Sequence, residues 1–223
     1  MKEFQVVGIG NALVDVLTHV EDGFLAEHGV QKGIMQLIGM ERARELYAHM
    51  GPAVEISGGS GANTVAGLAA LGLRTAYVGK VKEDQLGQIF AHDLRAQGAV
   101  YRTALARRDH PAETGRCMVL VSPEGERSMN TYLGVSEFLA PADIDEATMA
   151  GTEWLYLEGY RFDGPESHEA FAKAIAACRG AGGRVSVTLS DPFCVERHRD
   201  AFRRMVREHI DLLFANEHEL VAL

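Results

Sequence analysis

The residues best equipped for chemistry lie in one short run, Ser57-Gly58-Gly59-Ser60-Gly61-Ala62-Asn63-Thr64. Three glycines in four positions let a backbone turn sharply and bring its N–H groups close to a ligand. By itself such a turn serves equally to hold phosphate, to hold a sugar, or to let a helix pack closely. Two more polar residues, Asn11 and Asp15, follow the apolar run Phe4 to Gly10. In the alternation from Ala12 to Val20, Asp15 shares a face with Leu13 and Leu17. A carboxylate on an apolar face is costly unless it is paired or meets a wet cleft. A solvated edge strand is the competing explanation. A third pair, Asn216 and Glu219, has the spacing of a helix capping box and follows the last apolar run. All three groups fall at strand ends, where α/β proteins gather their ligands.

Several other chemistries are excluded. Gly8-Ile9-Gly10 begins like a dinucleotide fingerprint, but Leu13 stands where the third glycine belongs. Gly79-Lys80 fails as a phosphate loop because Val81 replaces the Ser or Thr that must follow the lysine. The nine histidines and three cysteines show no metal-ligand spacing. Glu217-His218-Glu219 reads as a solvated helix start. Cys117, Cys178 and Cys194 are odd in number and read as buried, reduced thiols. The net charge of −9, with no basic block, argues against a nucleic-acid partner. No apolar run approaches the ~20 residues of a membrane helix, and the N-terminus lacks the zones of a signal peptide, so a cytoplasmic location is expected.

The elements that must position these residues alternate. Short apolar runs at Phe4–Gly10, Thr75–Val81, Trp154–Gly159, Arg184–Leu189 and Leu212–Ala215 read as strands separated by helices, an α/β pattern with a parallel sheet. Val54–Ile56 is a strand leading into the glycine turn. The following helix, through Leu71, is rich in Ala and Gly and suits close packing. Helices are also expected over Met40–Met50, Asp84–Gln97, Asp143–Met149, Glu166–Ala181 and His198–His209. Two regions break the alternation: Ala12–Val20 with Gly33–Ile38, and the strands Tyr101–Leu105, Arg116–Val121 and Ser128–Leu133. Together they suggest a small β element standing off the main sheet. The closing Glu217–Leu223 starts an amphipathic helix without a C-cap, so the chain is expected to be cut short.

With these residues in view, the chain resembles the ribokinase-like, or PfkB, family of carbohydrate and nucleoside kinases. The opening Gly8-Ile9-Gly10-Asn11-Ala12-Leu13-Val14-Asp15 and the run from Gly58 to Gly87 are similar to the family's substrate motif and first signature. Asn216-Glu217-His218-Glu219 is similar to its N-x-x-E motif near magnesium and phosphate. The spacing is most like that of the adenosine kinases. The resemblance implies one partial ribokinase-like domain over residues 1–223, a parallel-sheet sandwich with a β-sheet lid from segments 12–38 and 100–133. It implies ATP and Mg2+ as cofactors and a small sugar or nucleoside as substrate. Asn11, Asp15, Gly58, Gly59 and Asn63 would bind the sugar, with Gln36 and Tyr132 as lid contacts. Asn216 and Glu219 would lie near phosphate and Mg2+, with Glu219 acting through water. The family's second signature, a D-T-x-G-A-G-D type run carrying the catalytic Asp, occurs nowhere in the sequence. The chain alone is therefore expected to be inactive. A binding module without phosphotransfer is the alternative, and a homodimer through exposed lid strands remains open.

Overall fold

The computed structural model describes residues 2–223. The chain runs β1 (Phe4–Ile9), β2 (Leu13–His19), α1 (Asp22–Glu27), β3 (Met35–Leu37), α2 (Met40–His49), β4 (Val54–Gly58), α3 (Ser60–Ala70), β5 (Thr75–Val78), α4 (Gln85–Ala96) and β6 (Val100–Tyr101). It continues through β7 (Gly115–Val121), β8 (Arg127–Tyr132), α5 (Glu146–Ala150), β9 (Thr152–Glu158), α6 (Ser167–Gly180), β10 (Arg184–Thr188), α7 (Pro192–His209), β11 (Leu212–Phe214) and α8 (Glu217–Ala222). Six strands form a parallel sheet in the order β11-β10-β9-β1-β5-β6, and five form a mixed sheet in the order β3-β8-β7-β2-β4.

The parallel sheet is buried on both faces over β1 and β5, as continuous apolar strands require, whereas at the β11 edge Leu212 and Phe214 stay 42% and 47% exposed. On one face Val7, Ile9, Leu155, Leu157, Val185 and Val187 pack with Phe171, Ile175 and Phe202 of α6 and α7. On the other, α3 and α4 bring Val65, Phe90 and Leu94 against Tyr77 and Tyr101. Fully burying one such side chain stabilises the fold by roughly 1.5–3 kcal/mol. The small-residue character of α3 has a direct cause: a Cβ on Gly8 of β1 would lie 2.5 Å from a methyl of Val65. The mixed sheet covers one face with α1 and α2, through Leu25, Ala43 and Leu46 against Met118 and Leu120. Its other face is turned toward the carboxyl end of β1, and that arrangement makes the site.

Two strands lie in sheets other than those expected. Val54–Gly58 is not among the proposed lid segments, yet it is the edge of the mixed sheet, antiparallel to β2. Val54 and Ile56 are 60% and 45% exposed, the half-wet pattern of an edge rather than of a buried central strand. Conversely, the strand expected over Tyr101–Leu105 shrinks to Val100–Tyr101 and joins the parallel sheet beside β5. Tyr101 is held there by its hydroxyl, which donates to the Gly79 carbonyl at 2.8 Å, and by an edge-on contact with Phe90.

Helix boundaries follow local capping chemistry. Asp84 caps α4 by accepting from the Gly87 N–H, and Asp145 rather than Asp143 caps α5. Asp143 is instead drawn into an ion pair with Lys80 at 2.7 Å. The helix expected from His198 begins six residues earlier, with Pro192 in its first turn and Asp191 capping it, and is kinked at His198.

Candidate functional site

A cleft of about 320 Å³ lies between the carboxyl end of β1, the first turn of α3 and the free face of the mixed sheet. That is within the ~300–1,000 Å³ typical of small-molecule sites. Asn11, Asp15, Gly59 and Asn63 all line it. A wider cavity of about 620 Å³, between Phe4, Val100 and Lys173, contains none of these residues.

Asp15 sits on β2 between Ile56 of β4 and Cys117 of β7. Gly58 is required beside it, because a Cβ there would fall within the space of the Asp15 carboxyl group. The carboxylate makes no hydrogen bond or ion pair with another described residue. Burial pushes its pKa up to about 6, against the opposing field of Arg127. Burial also pushes the neighbouring Cys117 thiol up to about 12, and all three cysteines are free and buried. Gly59 takes φ 92°, and a Cβ on it would lie 2.5 Å from the Asn11 carbonyl oxygen. Asn63 is exposed on α3 and lines the cleft.

The positive end of α3 is occupied from within. Glu158, at the end of β9, accepts from Ser60 Oγ at 2.5 Å, from the Gly61 N–H at 2.7 Å and from the Asn11 N–H at 2.6 Å. Burial raises its pKa, opposed by these three donors and by Arg161. The glycine turn therefore spends a helix-terminal N–H on an internal carboxylate, where a phosphate would otherwise compete for it. Arg161, 1% exposed, donates to Asn11 Oδ1 at 3.1 Å, to the Ser136 carbonyl at 2.7 Å and to Ser167 Oγ at 2.7 Å. Burial lowers its pKa. The Asn11 side-chain oxygen Oδ1 is thus consumed, while its Nδ2 has no partner among the described residues. Neither Glu158 nor Arg161 stood out in the sequence. The only local signal was a carboxylate ending an otherwise apolar strand.

Two expected lid contacts face away. Gln36 donates to Asn130 Oδ1 at 2.7 Å on the helix-covered side of the mixed sheet, and Tyr132 packs there against the α1–α2 layer. Strand side chains alternate, so their neighbours Met35, Leu37, Thr131 and Leu133 line the cleft instead. Asn216 and Glu219 do not line it. They form a reciprocal capping box: Glu219 accepts from the Asn216 N–H at 3.1 Å and from Nδ2 at 2.9 Å, and the Glu219 N–H donates to Asn216 Oδ1 at 2.8 Å. Among the described residues no three His, Cys, Asp or Glu side chains converge as metal ligands. Glu219 alone is no metal site, and as one carboxylate with spare lone pairs it fits only a water-mediated role. No helix among the described residues is long and apolar enough to cross a membrane.

A parallel sheet sandwiched by helices, with a smaller β-sheet facing a carboxylate-bearing cleft at its strand ends, is the ribokinase-like α/β class. Residues 33–223 match the family described as pfkB family carbohydrate kinase, and the chain belongs to that family. It is 26% identical over 228 residues to guanosine-inosine kinase of Escherichia coli (strain K12), covering 98% of this chain and 52% of that protein. The crystal structure of adenosine kinase from Sinorhizobium meliloti superposes with a TM-score of 0.92 at 47% identity, over 99% of this chain and 67% of that one. A probable sugar kinase protein from Rhizobium etli CFN 42 gives a TM-score of 0.92 at 44% identity, over 100% and 67%. The chain thus spans about half the length of the curated relative and two thirds of the solved ones.

Proposed function

We propose that this chain supplies the substrate-binding portion of an ATP-dependent kinase that phosphorylates the hydroxymethyl group of a sugar or nucleoside. The observation that carries this reading is the Asp15 carboxylate, unpaired in a cleft and given room by Gly58. An ionised carboxylate accepts two vicinal hydroxyls, each charge-assisted bond being worth roughly 1.5–3 kcal/mol. The side-chain Nδ2 of Asn11 and Asn63 would hold further hydroxyls, Gly59 would offer its backbone, and Glu158 would fix the Asn11 backbone and the first turn of α3 beneath them. The mixed sheet would act as the lid, excluding water from the reacting hydroxyl. Family membership, with relatives named adenosine kinase and guanosine-inosine kinase, supports a ribosyl substrate.

Bound ATP with Mg2+ would supply the transferable phosphoryl group and neutralise its charge, with Glu219 reached through water. The proton of the attacking hydroxyl needs a base, which the resemblance places in the D-T-x-G-A-G-D type run absent from these 223 residues. The 223-residue chain would therefore bind substrate without turning over ATP. The second reading is a non-catalytic sugar- or nucleoside-binding module, which would use the same Asp15 cleft. A chain extended in frame through such a run should phosphorylate a ribosyl substrate on the first reading and fail on the second. A homodimer would pair the exposed edges β3 or β4, which sedimentation would show. Calorimetry with ribose and adenosine tests the site itself: Asp15→Ala should abolish binding, and unchanged affinity would refute the assignment.

A further inference from the structure

The cleft has an order along its length that names its substrate more closely, given that Asp15 holds the sugar. On the cleft face of the mixed sheet, Asp15, Cys117, Thr131 and Leu37 stand side by side in one rung. The next rung outward is Leu17, Val119, Met129 and Met35, four apolar side chains across four strands. The rung beyond holds His19, Val121 and Arg127. Alternate residues on a strand are ~6.6 Å apart, so the Arg127 rung lies about 13 Å from that of Asp15.

A free pentose would reach the first rung and leave the apolar second one wet. A sugar 1-phosphate would set its charge against that apolar rung, with Arg127 the one Lys or Arg side chain lining the cleft to meet it. A purine nucleoside presents hydroxyls, then a flat ring, then a polar far edge, in the order of the three rungs. Arg127 is exposed at the cleft mouth, lines the cleft, and makes no hydrogen bond or ion pair with another described residue. Its guanidinium is a donor-only fork that matches two adjacent acceptors. A 6-oxopurine offers that pair in O6 and N7, whereas adenine places an amino donor beside N7. We infer that the cleft selects 6-oxopurine nucleosides, with Arg127 reading the O6/N7 edge across the apolar rung of Leu17, Val119, Met129 and Met35.

The test is calorimetric titration of the 223-residue protein with inosine, adenosine, ribose and ribose 1-phosphate, in the wild type and in Arg127→Leu, Arg127→Lys and Asp15→Ala. Inosine should bind about tenfold or more tighter than adenosine. Arg127→Leu should erase that preference, while Arg127→Lys, which keeps a donor and the charge near Asp15, should weaken it and leave ribose affinity within about twofold. Adenosine binding as tightly as inosine, or a preference that survives in Arg127→Leu, would overturn the inference. So would ribose 1-phosphate proving the tightest ligand and losing affinity in Arg127→Leu but not in Arg127→Lys. Ribose binding unchanged in Asp15→Ala would instead overturn the underlying sugar assignment, and absence of binding by all four ligands would overturn both.

Discussion

The carboxyl group of Asp15 occupies the space that a side chain on Gly58 would need, so these two residues on adjacent antiparallel strands form one feature. Gly58→Ala should therefore displace the Asp15 carboxylate while leaving the φ-sensitive Gly59 untouched. Ribosyl binding should fall at least tenfold, and thermal stability by about 1–3 kcal/mol from overpacking. Normal affinity in a folded Gly58→Ala protein would show that Asp15 does not hold the ligand.

Asp15 should also oppose stability where it supports binding. Its pKa rises from an ordinary 3.8 to about 6 on folding. Folding then favours the protonated acid, and that contribution is fully present below about 3.8 and lost as pH rises through about 6. Asp15→Asn should stabilise the unliganded protein by roughly 1–3 kcal/mol at pH 8 and hardly at all at pH 4, read from urea midpoints. In the wild type, ligand affinity should weaken about tenfold between pH 8 and pH 5 as the carboxylate takes up a proton.

Glu158 binds three donors, one from the turn after β1 and two from the first turn of α3. A glutamine there turns one acceptor oxygen into a donor and leaves Arg161 without its nearby counter-charge. Glu158→Gln should cost roughly 2–4 kcal/mol and speed hydrogen exchange at the Asn11 and Gly61 amides. Unaltered exchange at those two positions would remove Glu158 from its positioning role.

Gln36 and Tyr132 face the α1–α2 layer. Gln36→Leu and Tyr132→Phe should leave ligand affinity within about twofold, whereas Thr131→Phe, on the cleft face, should block binding. The reverse pattern in titrations would mean that β3 and β8 are turned over.

The capping box tests the end of the chain. Asn216→Ala should fray α8, costing about 0.5–2 kcal/mol, without changing ribosyl affinity, because neither Asn216 nor Glu219 lines the cleft.

Local chemistry was legible in the amino-acid sequence wherever the deciding partner is close by. The βα alternation, the capping-box spacing of Asn216 and Glu219, and the odd carboxylate at Asp15 all follow from short-range pattern, whereas the demand for glycine at 58 and 59 comes from Asp15 and Asn11, which only the fold brings there. Tertiary structure decided the rest. A short apolar run such as Val54–Ile56 or Tyr101–Leu105 carries no label saying which sheet it joins, and burial against distant elements settled both. A one-residue parity, invisible without the register of β3 and β8, sent Gln36 and Tyr132 to the helix side and Met35 and Thr131 to the cleft. Glu158 meets Asn11 across 147 residues and Gly61 across 97. No local spacing encodes such a pairing; it exists because a buried carboxylate must find donors, and folding brings β1, α3 and β9 to one point.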